Sequence, residues 1–168
     1  KNVDKNKLML HLGQVVESLS GGDNDQAEVD VEKVIEIGIH HPAAYFYLGL
    51  IRMNNNRLES AIRYLKRAVS HMDYSLGSRL LLAEGYQQKE NDKSAAVEYL
   101  EALKLADCKL VSQEHSDALR LLYEPLIEAQ EQTTSEDGCT NICTTVSEML
   151  QRPNWRQHIM DIRKELFQ

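Results

Sequence analysis

A chain of 168 residues that is 42% hydrophobic and 27% charged has enough apolar material for a packed core, which excludes global disorder. Its formal net charge of -7 excludes a surface built to displace counterions from nucleic acid or to adhere to an anionic membrane. No apolar run approaches the roughly 20 residues that span a bilayer, and with only 3 prolines and 8 glycines among many good helix formers, helices are favoured over a turn-rich β fold.

Lys1 to Lys7 are strongly charged and no continuous apolar core comes after them, so no signal peptide is expected. An opening on Lys rather than Met is expected of a piece of a longer protein. Three cysteines, Cys108, Cys139 and Cys143, are an odd number and fit a reducing compartment better than a disulfide framework, so the expected location is the cytoplasm.

In chain order, helices are predicted over 7–19 and 25–37, joined by Gly21-Gly22-Asp23-Asn24. A second pair is predicted over 42–54 and 58–71. Pro42 suits a first helical turn, where its missing N–H costs nothing, and Asn54-Asn55-Asn56 is the intervening turn signal. A third pair occupies 76–107, with its turn at Lys89-Glu90-Asn91-Asp92. The pairs are versions of one another. Ala61, Leu65 and Ala68 recur 34 residues later as Ala95, Tyr99 and Ala102, and 34 residues earlier as Ala27, Val31 and Val34. Leu48-Gly49 recurs as Leu82-Ala83. Aligning it also with Leu12-Gly13 requires a first loop two residues longer than its counterparts. Small residues at Gly49, Ala61, Ala83 and Ala95 stand where paired helices would cross.

Beyond the repeats, 110–132 is expected to be a capping helix. Ser112 is its N-cap, Ala118, Leu119, Leu122, Leu126 and Ile127 form its apolar face, and Pro125 kinks or ends its first part. Residues 133–141 read as a polar linker and 142–168 as amphipathic helices. In the last helix Trp155, Ile159, Ile162 and Leu166 make one apolar stripe, which needs a partner surface: the preceding helices, a groove, or a missing domain.

The period, the Leu-Gly pair and the run Tyr45-Phe46-Tyr47-Leu48-Gly49 with Ala61, Leu65 and Ala68 after it resemble the tetratricopeptide repeat, as do Leu82-Ala83, Tyr86, Ala95, Tyr99 and Ala102. The departures are Arg52, Arg79 and Met9 at usually aromatic positions, and Ile39, Asp73 and Asp107 in place of the closing proline. The resemblance implies an all-α fold, a right-handed α-solenoid of antiparallel helix pairs with units at 7–41, 42–75 and 76–109. It implies a scaffold that binds a peptide or helix of a partner protein in a concave groove lined by the first helices of the units. By position those residues are Leu10, His11, Gln14 and Glu17, then Phe46, Tyr47, Leu50, Met53 and Asn54, then Leu80, Leu81, Glu84, Gln87 and Gln88. Most of these positions are apolar or acidic, so the clamp of Lys and Asn with which some co-chaperone relatives grip a terminal carboxylate is not expected. Apolar anchors on an amphipathic or extended segment are the expected ligand. The alternative is a regulatory or oligomerisation domain of a larger signalling or enzymatic protein, with the C-terminal helices associating between copies as a homo-oligomer or masking the groove.

No enzyme activity, catalytic residue, cofactor or metal site is expected. Gly21-Gly22 lacks the rest of a phosphate loop, and His40-His41 precede Pro42 in a turn. Cys139 and Cys143 lack further zinc ligands.

Overall fold

Helix formers patterned at three- and four-residue spacing fold as helices throughout. The computed structural model describes residues 5–37 and 40–167, so Ile39 lies outside the described residues, and all regular structure among them is helical. The helices are α1 (Lys5–Ser20), α2 (Asn24–Glu36), α3 (Pro42–Asn54), α4 (Leu58–Ala68), α5 (Ser75–Gln88), α6 (Asp92–Lys109), α7 (Gln113–Gln132), α8 (Glu136–Leu150) and α9 (Ile159–Leu166). A 3-10 turn at Trp155–His158 leads into α9. Helices adjacent in sequence pack together, α1 on α2, α3 on α4 and α6 on α7. The chain divides into two units, one up to Leu81 and one from Leu82, with the boundary inside α5.

The turn inside each pair has the same geometry at intervals of 34 residues. Gly22, Asn56 and Glu90 all adopt the left-handed conformation, with φ of 78°, 56° and 57°. The next residue closes the helix end behind it: Asp23 N–H donates to Ser18 C=O at 2.9 Å, Arg57 N–H to Arg52 C=O at 2.8 Å and Asn91 N–H to Tyr86 C=O at 2.9 Å. A left-handed residue and then this long backbone bond satisfy carbonyls that the helix end leaves open. The same residues start the second helices. Asp23 caps Gln26 N–H at 3.0 Å and Asn91 caps Ser94 N–H at 3.1 Å.

This register corrects the alignment through Leu12-Gly13. The first loop is not two residues longer: the turn at Gly22 is in step with those at Asn56 and Glu90. Val15, not Gly13, therefore corresponds to Gly49. Val15 is fully buried, whereas Gly13 is exposed and no neighbouring residue approaches the place of a Cβ there. The polar residues of the first loop build the same turn instead of an insertion.

At the α3–α4 crossing Gly49 is needed for space. A Cβ there would lie 2.6 Å from Leu65 Cγ, and Leu65 is fully buried. In the first pair Val15 and Val31, both in one buried cluster, divide the volume differently: a larger residue replaces the glycine and a smaller one replaces the leucine. Arg52, at a position where the sequence resemblance leads one to expect an aromatic, ties three helices together. Its Nη2 lies 2.9 Å from both Glu28 and Glu32 of α2, and its Nη1 donates to Ser60 of α4 at 2.8 Å. Arg57 and Asn55 complete the ring around the Glu28 carboxylate.

In the second unit α6 is covered by α7, α8 and α9. It accordingly buries residues on more than one face, among them Ala95, Tyr99, Leu100, Leu103 and Ala106. α7 runs through Pro125 without ending there, and Ser112 does not cap it with its side chain: that hydroxyl engages His115 Nδ1 at 2.8 Å. α8 begins at Glu136, inside the expected linker of 133–141. Glu136 and Asp137 place two acids in its first turn, where the helix dipole favours them. The apolar stripe of the tail finds its partner within this unit. Ile159 and Ile162 are buried, α9 packs on α6 and α8, and Phe167 meets the Tyr123 ring edge-on at 5.4 Å.

Gly49→Ala is expected to lower stability by about 1–2 kcal/mol, because overpacking outweighs the gain in helix propensity. Adding Leu65→Val, which imitates the Val15–Val31 solution, should recover most of the loss. Thermal melts of the two variants decide this, and an unchanged melting temperature for Gly49→Ala would remove the crossing argument.

Candidate functional site

α3 carries five of the expected groove residues, and they divide by helical direction. Met53 lies one turn beyond Gly49, so it shares the stripe facing α4 and is buried. Phe46, Tyr47 and Leu50 are half-buried. Phe46 is not a free anchor: its ring lies 5.5 Å from Tyr74 and 3.2 Å from where a Cβ on Gly77 would stand, so it packs on the start of α5. Tyr47 lies edge-on to Phe46 at 5.5 Å and also packs against the buried cluster of the first pairs. Asn54 is exposed and donates to Asn24 Oδ1 at 3.2 Å. Leu80 and Leu81, at the end of the first unit, are half-buried. Of the first-pair positions, Leu10, Gln14 and Glu17 are exposed and His11 is half-buried.

In the second unit Gln87 is engaged, since its Oε1 accepts the Tyr99 hydroxyl at 2.6 Å. Glu84 and Gln88 reach solvent, and partial burial still raises the Glu84 carboxyl above the usual carboxylate range. Burial pushes the Tyr99 phenol up to about 12, and the Glu84 charge adds to it. The structure thus gathers Phe46, Tyr47 and Tyr74 into an aromatic cluster, leaves Tyr47, Leu50, Leu80 and Leu81 as partly open apolar positions, and removes Met53.

The start of α3 is held by a titratable cap. His41 Nδ1 accepts the Ala43 N–H at 3.1 Å, a bond that requires the neutral ring. Burial, and then the neighbouring His71, hold its pKa below the ordinary value, against a weaker pull from Asp73.

A second site was not legible in the sequence. An apolar cleft of about 840 Å³ lies between the end of α6, α7, the 3-10 turn and α9. Its base is set by Asp107, Leu119 and Ile159, all buried, and its mouth by the exposed Leu110, Leu122 and Met160. Asp107 is a buried carboxylate with two partners: Tyr123 Oη donates to it at 3.0 Å and Arg163 Nη1 lies 3.2 Å away. Burial and the Asp107 charge raise the Tyr123 phenol above its ordinary range, keeping it a donor. The signal for this cleft is long-range, because the pairing of Asp107 with Arg163 joins distant segments.

The two α8 thiols serve packing. Cys143 Sγ donates to Asp92 C=O at 3.4 Å and Cys139 Sγ to Gln130 Oε1 at 3.2 Å. Burial, and after it the Asp92 charge, pushes the Cys143 thiol up to about 12. Among the described residues no group of three His, Cys, Asp or Glu side chains is placed to hold a metal ion, and no helix is long and apolar enough to cross a membrane. In comparisons with protein-family models, with curated proteins and with solved structures, nothing matches the chain.

Iodoacetamide at pH 8 is expected to modify Cys108 alone in the folded protein, with Cys139 and Cys143 labelled only after denaturation. Mass spectrometry of the digested protein reads this directly. Stability should also fall on acidification. The His41 pKa is lower in the folded than in the unfolded chain, so below about pH 6.5 the unfolded chain binds more protons. His41→Asn keeps a capping side chain and should flatten the loss between pH 7 and pH 5 in chemical denaturation curves.

Proposed function

We propose that this chain is a tetratricopeptide-type interaction module, a right-handed α-solenoid that binds a peptide or helix of a partner protein along the first helices of its units. The observation that carries this reading is the turn built three times at a 34-residue interval, at Gly22, Asn56 and Glu90, with the same left-handed conformation and the same backbone bond behind it. A chain that repeats its turn and its small crossing residues with one period is expected to stack its pairs as a solenoid.

The binding determinants under this reading are the half-buried Tyr47, Leu50, Leu80 and Leu81, with the acidic Glu84 and the amide of Gln88 beside them in sequence order. Apolar anchors with acidic and amide neighbours suit an amphipathic helix that presents apolar residues and a basic flank. Such a scaffold would work in the cytoplasm, where its thiols stay reduced. The alternative, self-association through the C-terminal helices, has less support, because Ile159 and Ile162 are already buried within their own unit.

The test is a selection of displayed amphipathic helical peptides on the whole chain, with titration of the retained peptides afterwards. Tyr47→Ala is expected to weaken them about tenfold or more, the range of an aromatic hot spot. Glu84→Lys should select against basic flanks, with circular dichroism melts confirming that both variants fold. Retained peptides that bind both variants as tightly as the parent would end the groove assignment.

A further inference from the structure

The cleft between α7 and α9 combines two properties that the packing of the second unit does not use. Its mouth keeps large apolar side chains in solvent: Leu110 is 57% exposed, Met160 55% and Leu122 41%. Its polar edge is basic, in a chain of net charge -7. Arg156 and Arg163 both line it, and the single lining carboxylate, Asp107, is already paired with Arg163 and Tyr123. Arg156 lies over the Trp155 ring at 4.9 Å, which holds it in place without neutralising it. Arg163 meets Asp107 through Nη1, and a guanidinium carries five N–H donors in all.

From this we infer that the cleft is a binding site for a small anionic amphiphile, an aliphatic or aromatic carboxylic acid whose apolar body lies on Leu119, Leu122 and Met160 and whose carboxylate meets Arg156. The size fits. A volume of about 840 Å³ falls within the range of small-molecule pockets, roughly 300–1,000 Å³. The α7 wall from His115 to Leu122 spans about 10 Å at 1.5 Å per residue, enough for one such molecule. The lining sets the head-group preference. A cationic head would face two arginines, and a neutral one would forgo a charge-assisted bond of the kind guanidinium makes best with carboxylates. This site lies on α6, α7 and α9 and does not depend on the peptide groove proposed above.

The test is displacement of bound anilinonaphthalene sulfonate from the full chain by decanoate, decanol and decyltrimethylammonium. Binding is expected to saturate at one probe per chain. Decanoate should displace it at a concentration about tenfold below that of decanol, with the ammonium weakest. Arg156→Glu, at an exposed position, should weaken decanoate about tenfold and leave decanol unchanged. Leu122→Asp and Met160→Asp, each on the exposed mouth, remove apolar contact and add a like charge, and should abolish binding of both ligands at an unchanged melting temperature. Equal displacement by the three head groups would overturn the proposal. So would decanoate binding that survives both aspartate substitutions.

Discussion

Two helices joined by a short turn pack closely only if the side chains where their axes cross leave room for one another. In the second pair that room is left by the hydrogen of Gly49, set against the fully buried Leu65. The close approach brings Ala61 and Ala68 of α4 into the core and lets Arg52 reach across to Ser60 while it holds Glu28 and Glu32 of α2. Without that contact the guanidinium would have no fixed distance to bridge. The ionic ring is a consequence of the packing, and its Arg52–Glu28 pair is mostly buried, so removing one partner alone would be costly. The first pair shows that the constraint concerns summed volume and not glycine as such, since Val15 and Val31 meet it together.

The second unit is organised by a different necessity. A carboxylate buried as fully as Asp107 must be given donors, and it recruits them from two segments, Tyr123 of α7 and Arg163 of α9. The Tyr123 bond fastens α7 to α6 and the Arg163 contact fastens α9 to it, with Ile159 and Ile162 buried on the same helix as Arg163. Because α9 is held at its Arg163 end while Met160 and the turn before it remain at the surface, a cleft is left between it and α7. The cleft and the buried charge are therefore two results of one arrangement.

Helix existence and pairing are readable in the sequence because they depend on local spacing: small residues at a fixed period, apolar residues at three- and four-residue steps, and turn-forming residues between them. The register of α1 is not, for an instructive reason. Leu12-Gly13 looks like Leu48-Gly49 as letters, but register is set by the turn, and Gly22 and Asn56 are the residues that favour its left-handed conformation. Glu90 does not favour it, and the third turn is read instead from the polar run Lys89-Glu90-Asn91-Asp92. α8 begins inside a polar run because acids suit a helix start as well as they suit a linker. The division of α3 between buried Met53 and half-open Leu50 is partly legible from helical phase. The cleft is not, because no local pattern announces that Asp107 will meet Arg163.

The hydrogen bonds of the turns also bear on how the chain folds. Nearly everything that defines a helix pair closes over a short stretch: the left-handed turn, the backbone bonds across it, and the small-residue crossing a few helical turns away. Contacts of this kind lose little loop entropy, so each pair can form soon after its own residues are available, independently of the later helices. The bond between Arg163 and Asp107 is different in kind. It reaches across two intervening helices and cannot form until α9 exists. On a ribosome, the early pairs would be ordered while the Asp107 carboxylate still faced water, and the emergence of α9 would complete its burial.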